Sequence, residues 1–340
     1  MSSLDCAVAH LGATAFLNQK GVKRGVKKEK ILAVVGPTAG GKSALAEALA
    51  ERLDGEIVSC DSMQIYRGMD IGTAKPDAAS LSRVRYHLID VVNADADFSV
   101  AEYVALAERA VKDILSRGKL PILCGGTGLY LDAFLRGMPE SPGKDDTIRE
   151  ALLQEASEKG NAYLHGELAK VDPDSANATH PSNVRRVIRA LEIYRLTGVT
   201  KTEWDRRSRE LPMCYDATVL YLTFEDRELL YRRIEERVDQ MIENGLLEET
   251  ARLLSEGVFE ASRTAAAAIG YKELLPYLAG ECTLSEAILA LKLATRRYAK
   301  RQITWFCAKP YVTPLAMDDG GKTRKFEEIV NNAVELVTGK

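Results

Sequence analysis

Gly36, Pro37, Thr38, Ala39, Gly40, Gly41, Lys42 and Ser43 follow the pattern G-x-x-x-x-G-K-[ST], the spacing of a phosphate-gripping loop. The run comes after an apolar strand-like segment, Ile31–Val35, and before a helix-like one, Ser43–Leu53. Small residues let backbone N–H groups converge on phosphate oxygens, and the helix N-terminus adds positive potential. Lys42 supplies a point charge, and Ser43 a hydroxyl for a divalent cation. The pattern places the chain among nucleotide-binding P-loop proteins and predicts a site for a di- or triphosphate.

Eighteen residues after Ser43 comes Asp61, followed by Ser62, Met63 and Gln64. Asp61 directly follows the strand-like run Glu56–Cys60, so its carboxylate falls at the sheet edge that carries the phosphate loop. Two readings are open on residues alone. Asp61 is a turn residue while Asp90 holds a metal, as in a kinase, or Asp61 is a general base for a nucleophile approaching a phosphate ester. Thr127 lies in the Gly-rich turn 125–128. Its hydroxyl either stabilises its own backbone or is aimed at a phosphate or a base edge.

The elements that must position these groups are visible as alternation. Apolar runs at Ile31–Val35, Glu56–Cys60, His87–Val91, Pro121–Cys124 and Thr218–Thr223 alternate with helix-length segments, the signature of βαβ units and a parallel sheet. In open α/β folds ligands bind at the carboxyl edge of such a sheet. The alternation stops at 138–143, and helical, charged sequence runs to about Leu211. The expected architecture is therefore an α/β core, residues 29–143 and 214–312, interrupted by a helical insertion at 144–213. Residues 1–28 read as a disordered extension and 313–340 as a tail with a helix.

With 340 residues, 46% apolar content and a net charge of −3, the chain can bury a full core. It does not attract nucleic acid by overall charge. Basic residues are instead clustered: six Lys/Arg against one Glu in Lys20–Lys30, eight against three acids in Asn183–Arg209, and five with no acid in Lys292–Arg301. Phosphate contacts need such clusters. A basic run is usually a solvated helix face, but in the last of these the absence of an acidic partner within the run favours a phosphate-tracking face, beside an apolar stripe of Leu284, Ile288, Leu291 and Tyr298. The six cysteines are scattered without a C-x-x-C pair, which fits a reducing cytoplasm. His87, His165 and His180 lack metal-ligand spacing. No stretch reaches transmembrane length, and Asp5 with few arginines opposes a targeting peptide.

Six collinear segments carry a resemblance: Gly36–Ser43, Ser59–Pro76, Leu123–Tyr130, Arg186–Glu192, Ile269–Lys272 and Arg297–Trp305. From about Lys30 to Ala308 the chain resembles the bacterial tRNA dimethylallyltransferases, of the IPP transferase family, which prenylate the adenine 3′ of the anticodon. The resemblance implies a P-loop-like fold and dimethylallyl diphosphate, rather than ATP, in the phosphate loop, with Mg2+ near Ser43. It implies Asp61 as general base, with Thr127 and Arg237 as its diphosphate-side partners. It also implies tRNA contacts through Asp61, Ser62, Met63, Gln64, Thr127, Arg149, Arg185, Arg186, Arg189, Lys272, Lys300 and Arg301. The insertion would grip the anticodon arm, and the protein would be a cytoplasmic monomer without membrane contact. The chain departs from the family at Ser182 and Asn183, where Asn-Asp is usual, and at Ala267, where some relatives carry Arg. Competing activities are prenylation of free adenine nucleotides, small-molecule phosphorylation and non-catalytic RNA binding. The adenine-nucleotide branch departs from Asp-Ser-Met-Gln, a kinase calls for an Arg-rich lid, and a binding module has no use for Lys42 beside Asp61.

Overall fold

The structure is a computed structural model that describes residues 28–137, 143 and 145–339. The extension expected at 1–28 therefore lies, apart from Lys28, outside the described residues. Six parallel strands form the core sheet: β1 (Lys30–Val35), β2 (Gly55–Ser59), β3 (Tyr86–His87), β4 (Leu120–Gly125), β5 (Asp216–Thr223) and β6 (Val312–Ala316). They lie in the order β3-β2-β4-β1-β5-β6. Central strand β1 is apolar at consecutive positions because both of its faces are covered. Ile31, Ala33 and Val35 pack with Val104, Val111 and Phe134. Leu32 and Val34 pack on the other side with Leu45, Leu49 and Ile329.

Two strand expectations need correction. The run His87–Val91 forms a strand only at Tyr86–His87. Leu88 and Asp90 then take left-handed φ values of 63° and 57°, so the chain turns away instead of extending. The segment 313–340 is not merely a tail. β6 pairs with β5 from Val219↔Val312 to Thr223↔Ala316, and the helix Phe326–Thr338 buries Ile329, Val330 and Ala333 on the core. The alternation rule misses β6 because Thr313 and Pro314 interrupt its apolar pattern.

The insertion consists of five helices, Asp146–Lys159, Asn161–Val171, Pro173–Asn177, Val184–Thr197 and Lys201–Glu210. Leu152, Leu164, Leu168, Ile188 and Leu191 form its own apolar centre. The long helix Leu284–Cys307 starts at a capping box, in which Thr283 and Glu286 each satisfy the other's backbone N–H. Ala287 and Leu291 bury it against a third apolar cluster, with Tyr66, Leu253 and Tyr271. No helix among the described residues is long and apolar enough to cross a membrane.

Beneath the sheet, at the edge away from the phosphate loop, the Glu56 carboxylate accepts from Arg117 Nη2 at 2.8 Å and meets His87 Nε2 at 2.8 Å. The hydrogen bonds from Arg117 hold the Glu56 carboxyl down to about 2. A depressed folded-state pKa gives stability that is present above the unfolded value, near 4.5, and lost as pH falls toward 2. Glu56→Gln is therefore expected to flatten the acid limb of the stability curve between about pH 4.5 and 2. Urea unfolding across that window measures it, and an unchanged slope would show that the ion pair adds nothing.

Candidate active site

β1, β2 and β4 are neighbours, so the loops that follow them open side by side. The phosphate loop leaves β1 and enters the helix Lys42–Arg52 through Gly41, whose φ of 94° suits glycine. The first N–H groups of that helix have no intrahelical partner and face the space above the sheet. Lys42 Nζ donates to Pro37 O at 2.7 Å. Burial lowers its ammonium to about 8, and the charge of Arg237 pushes the same way. The Thr38 amide, expected to hold the anion, is already taken: it donates to Gln302 Oε1 at 2.8 Å. The anion-binding donors left to the loop are therefore the amides toward its Gly41–Ser43 end.

Asp61 begins the turn after β2. Its Oδ1 accepts from Met63 N at 2.8 Å, an Asx turn that fixes the carboxylate. Thr127 Oγ1 accepts from Ser62 N at 3.1 Å. Thr127 thus braces the Asp61 turn and is not itself among the residues lining the two cavities described below. Arg237 comes from the helix Arg227–Glu243. Desolvation lowers its guanidinium, and the charge of Asp61 partly restores it. Among the described residues the two close no ion pair, so opposite charges face a common space.

Two cavities adjoin there and share part of their walls. One cavity, of about 1000 Å³, is lined by Thr38–Ala44, Asp61, Arg233 and Arg237. A second, of about 610 Å³, is lined by Ser62, Met63, Arg149, Arg185, Lys272 and Arg301. Thr38, Asp61, Arg237, Met241 and Tyr298 belong to both. The first is built for an anion and the second is basic, with the Asp61 carboxylate in the lining of both.

Not every expected RNA contact is free for RNA. Arg149 Nη2 donates to both oxygens of Glu192, at 3.0 and 2.9 Å, and Arg189 Nη1 donates to Glu192 Oε2 at 2.9 Å. Burial alone raises the Glu192 carboxyl, but these arginines outweigh it and hold it below its ordinary value. Gln64 is likewise engaged, accepting from Ser59 Oγ and donating to Thr73 O and Ala74 O. The basic run Lys292–Arg301 does have acidic partners, on the neighbouring helix: Lys292 pairs with Asp239 at 2.7 Å and Arg296 with Glu235. Arg185, Arg186, Lys300 and Arg301 carry no ion pair among the described residues, and of these Arg185 and Arg301 line the second cavity. Asp90, the alternative metal ligand, is bound at 2.5 Å to Lys75, which also takes Asp70.

Three residues take places in the structure that sequence reasoning did not give them. Arg233, one helical turn before Arg237, donates to Ala39 O at 2.9 Å and lines the anion cavity; its i, i+4 spacing was the available signal. Tyr298, read as part of an apolar stripe, lines both cavities instead, and burial raises its phenol. Gln302 sits between two loops, a position that periodicity does not reveal.

The lowered Lys42 ammonium gives a measurable expectation. Anion binding requires its charged form, so the affinity for inorganic diphosphate should weaken as pH rises through about 8, with proton uptake on binding at that pH. Lys42→Met should bind more weakly and lose the proton uptake seen by calorimetry in buffers of different ionisation enthalpy. Uptake that survives the substitution would assign it to the anion itself.

Comparison with known proteins agrees with this geometry. Residues 64–309 match the family described as IPP transferase. A protein of Geobacter sulfurreducens named tRNA dimethylallyltransferase is 48% identical over 285 residues, 84% of this chain and 91% of that one. One of Halalkalibacterium halodurans with the same name is 48% identical over 305 residues, 89% and 96% of the two chains. The full-length tRNA isopentenylpyrophosphate transferase of Bacillus halodurans superposes with a TM-score of 0.66 at 43% identity, covering 92% of this chain and 98% of that one. A eukaryotic dimethylallyltransferase acting on tRNA superposes at 0.75 with 28% identity, covering 92% and 80%. A six-stranded parallel sheet, a carboxylate facing an anion loop and a match over most of its length identify the chain as a member of the IPP transferase family.

Proposed function

We propose that the chain transfers the dimethylallyl group of dimethylallyl diphosphate to the exocyclic N6 amine of the adenine 3′ of the anticodon in tRNA, releasing diphosphate. The observation that carries this reading is the junction of the two cavities at Asp61. A diphosphate held in the first cavity has its allylic carbon directed at that junction. A base swung out of an RNA loop arrives through the second. Recognition of unstacked loop bases is the usual mode for RNA.

The allylic C–O bond breaks and its electron pair leaves with the diphosphate. The N6 lone pair forms the new C–N bond, and the N6 proton passes to the Asp61 carboxylate. An exocyclic adenine amine is a weak nucleophile because its lone pair is delocalised, so a carboxylate that takes its proton during attack lowers the barrier. Lys42, Arg237 and the loop amides oppose the negative charge growing on the leaving group. Thr127, through Ser62 N, keeps the Asp61 turn in place. Arg185, Arg301, Lys272 and the exposed Arg186 and Lys300 contact the anticodon stem-loop, while Arg149 and Arg189 act through Glu192 to hold the insertion helices that present Arg185.

The donor set suits Mg2+. Ser43 offers a hydroxyl beside the anion cavity, and the described residues contain no group of three or more His, Cys, Asp or Glu able to cage a metal. A cation that keeps water and substrate phosphate oxygens as its main ligands fits such a place. Held by Ser43, it would supply further charge neutralisation to the departing diphosphate. The protein works as a monomer in the cytoplasm on this reading.

The test mixes the protein with labelled dimethylallyl diphosphate, Mg2+ and unmodified tRNA, with AMP and ATP as alternative acceptors. Label is expected on tRNA alone. Transfer to AMP instead would move the activity to free nucleotides, and phosphate transfer from ATP would make the protein a kinase. Asp61→Ala should lose turnover by a factor on the order of 10² or more while binding tRNA with near-parental affinity. Turnover close to parental would remove Asp61 from the mechanism.

A further inference from the structure

Gln302 lies on the helix Leu284–Cys307 between Ala299 and Phe306, both fully buried, and is itself only 5% exposed. Its side-chain amide spans two loops. Oε1 accepts from Thr38 N at 2.8 Å in the phosphate loop, and Nε2 donates to Gly126 O at 3.1 Å in the turn that carries Thr127. The fit is close: a Cβ at Gly126 would stand 2.0 Å from Gln302 Nε2, so no other residue at 126 admits this bridge. The phosphate loop holds the leaving group, and the 125–128 turn braces the base. These are the two halves of the reacting pair, and they leave separate strands. The β1–β4 ladder brings the two together at Val35↔Gly125, and Gln302 adds a side-chain bridge beyond the end of that ladder. One amide group thus ties Thr38 to Gly126 through a hydrogen bond at each end.

We infer that Gln302 is a positioning residue for the transfer reaction: its amide fixes the gap between the anion loop and the Asp61–Thr127 turn. This inference rests on the proposed prenyl transfer. The loop amide it occupies is not available to the substrate, so its contribution is geometric. Reacting atoms must be held at near-contact distance and aligned, and a displacement of about 1 Å from such geometry can cost on the order of 10²-fold in rate. The helix that carries Gln302 also presents Tyr298 and Arg301 to the second cavity, so the same rigid element sets the depth of the RNA entrance.

The experiment compares the parent protein with Gln302→Met and Gln302→Glu, measuring kcat and KM for each substrate, tRNA affinity and thermal unfolding. Gln302→Met keeps the volume but neither hydrogen bond. Its kcat is expected to fall at least 10-fold while tRNA affinity stays parental. Gln302→Glu provides a readout that a purely structural role would not move. When its carboxyl is protonated it can accept from Thr38 N and donate to Gly126 O, as the amide does; when ionised it faces Gly126 O with repulsion. Burial raises a carboxyl pKa, so the activity of Gln302→Glu relative to the parent should rise as pH falls from 8 to 6. A parental kcat in Gln302→Met, a pH-flat ratio for Gln302→Glu, or losses that track tRNA affinity and melting temperature would each overturn the inference. If the parent itself moves no dimethylallyl group to tRNA, the proposed function fails, which is distinguishable from failure of the bridge.

Discussion

β4 runs between β1 and β2, and every feature of the site follows from that adjacency. Leu32 to Val35 of β1 register with Ile122 to Gly125 of β4, and Gly55 to Ser59 of β2 with Leu120 to Cys124. The ladder continues past the strands, with Cys60 N donating to Cys124 O at 2.8 Å and Thr127 N to Cys60 O at 3.3 Å. Because all three strands are parallel, their carboxyl ends finish at one level. A phosphate loop (Gly36–Ser43), a carboxylate (Asp61) and a bracing threonine (Thr127) thereby become neighbours although they come from three separate stretches of the sequence. A one-residue slip would turn each of these side chains to the opposite face, so strand register sets the active geometry.

The walls around that edge are held by buried carboxylates used as acceptors. Glu249, 8% exposed, accepts from the backbone N–H groups of Asp70, Ile71 and Gly72 and from the Tyr271 hydroxyl at 2.7 Å. This pins the segment that forms one side of the anion cavity. Glu192 does the same in the insertion, with Arg149 and Arg189 as donors. Such groups are costly to disturb, because removing one partner leaves buried charges or N–H groups without compensation. The arginines of the insertion therefore divide into two kinds, those that hold the helices and those left over for an anionic partner.

Much of this was legible in the sequence, for particular reasons. The phosphate loop, Asp61 and the 125–128 turn each combine a motif with a strand ending, so both identity and placement could be read. The helical insertion was visible because alternation gave way to charged helical sequence. What stayed hidden depended on contacts between distant segments. Arg149 and Lys292 look like free cations until Glu192 and Asp239 are seen beside them. Tyr298 has the spacing of a core residue but lies where the packed face ends and the cavity begins. β6 lacks strand-like patterning because an edge strand tolerates Pro314. Gln302 carries no periodic signal, since its role is defined by two loops whose meeting depends on the sheet order.

The sheet order also bears on how the polypeptide is made. β1 is shielded on one side by β4, at 120–125, but on the other only by β5, at 216–223. Between them the ribosome must deliver the whole five-helix insertion. Until residue 223 emerges, an apolar strand stands with one edge unpaired, the kind of surface that templates association between nascent chains. Biosynthesis paused within the insertion is thus the stage at which chaperones have most to protect, and the position of that insertion is a burden on production even as it equips the mature protein.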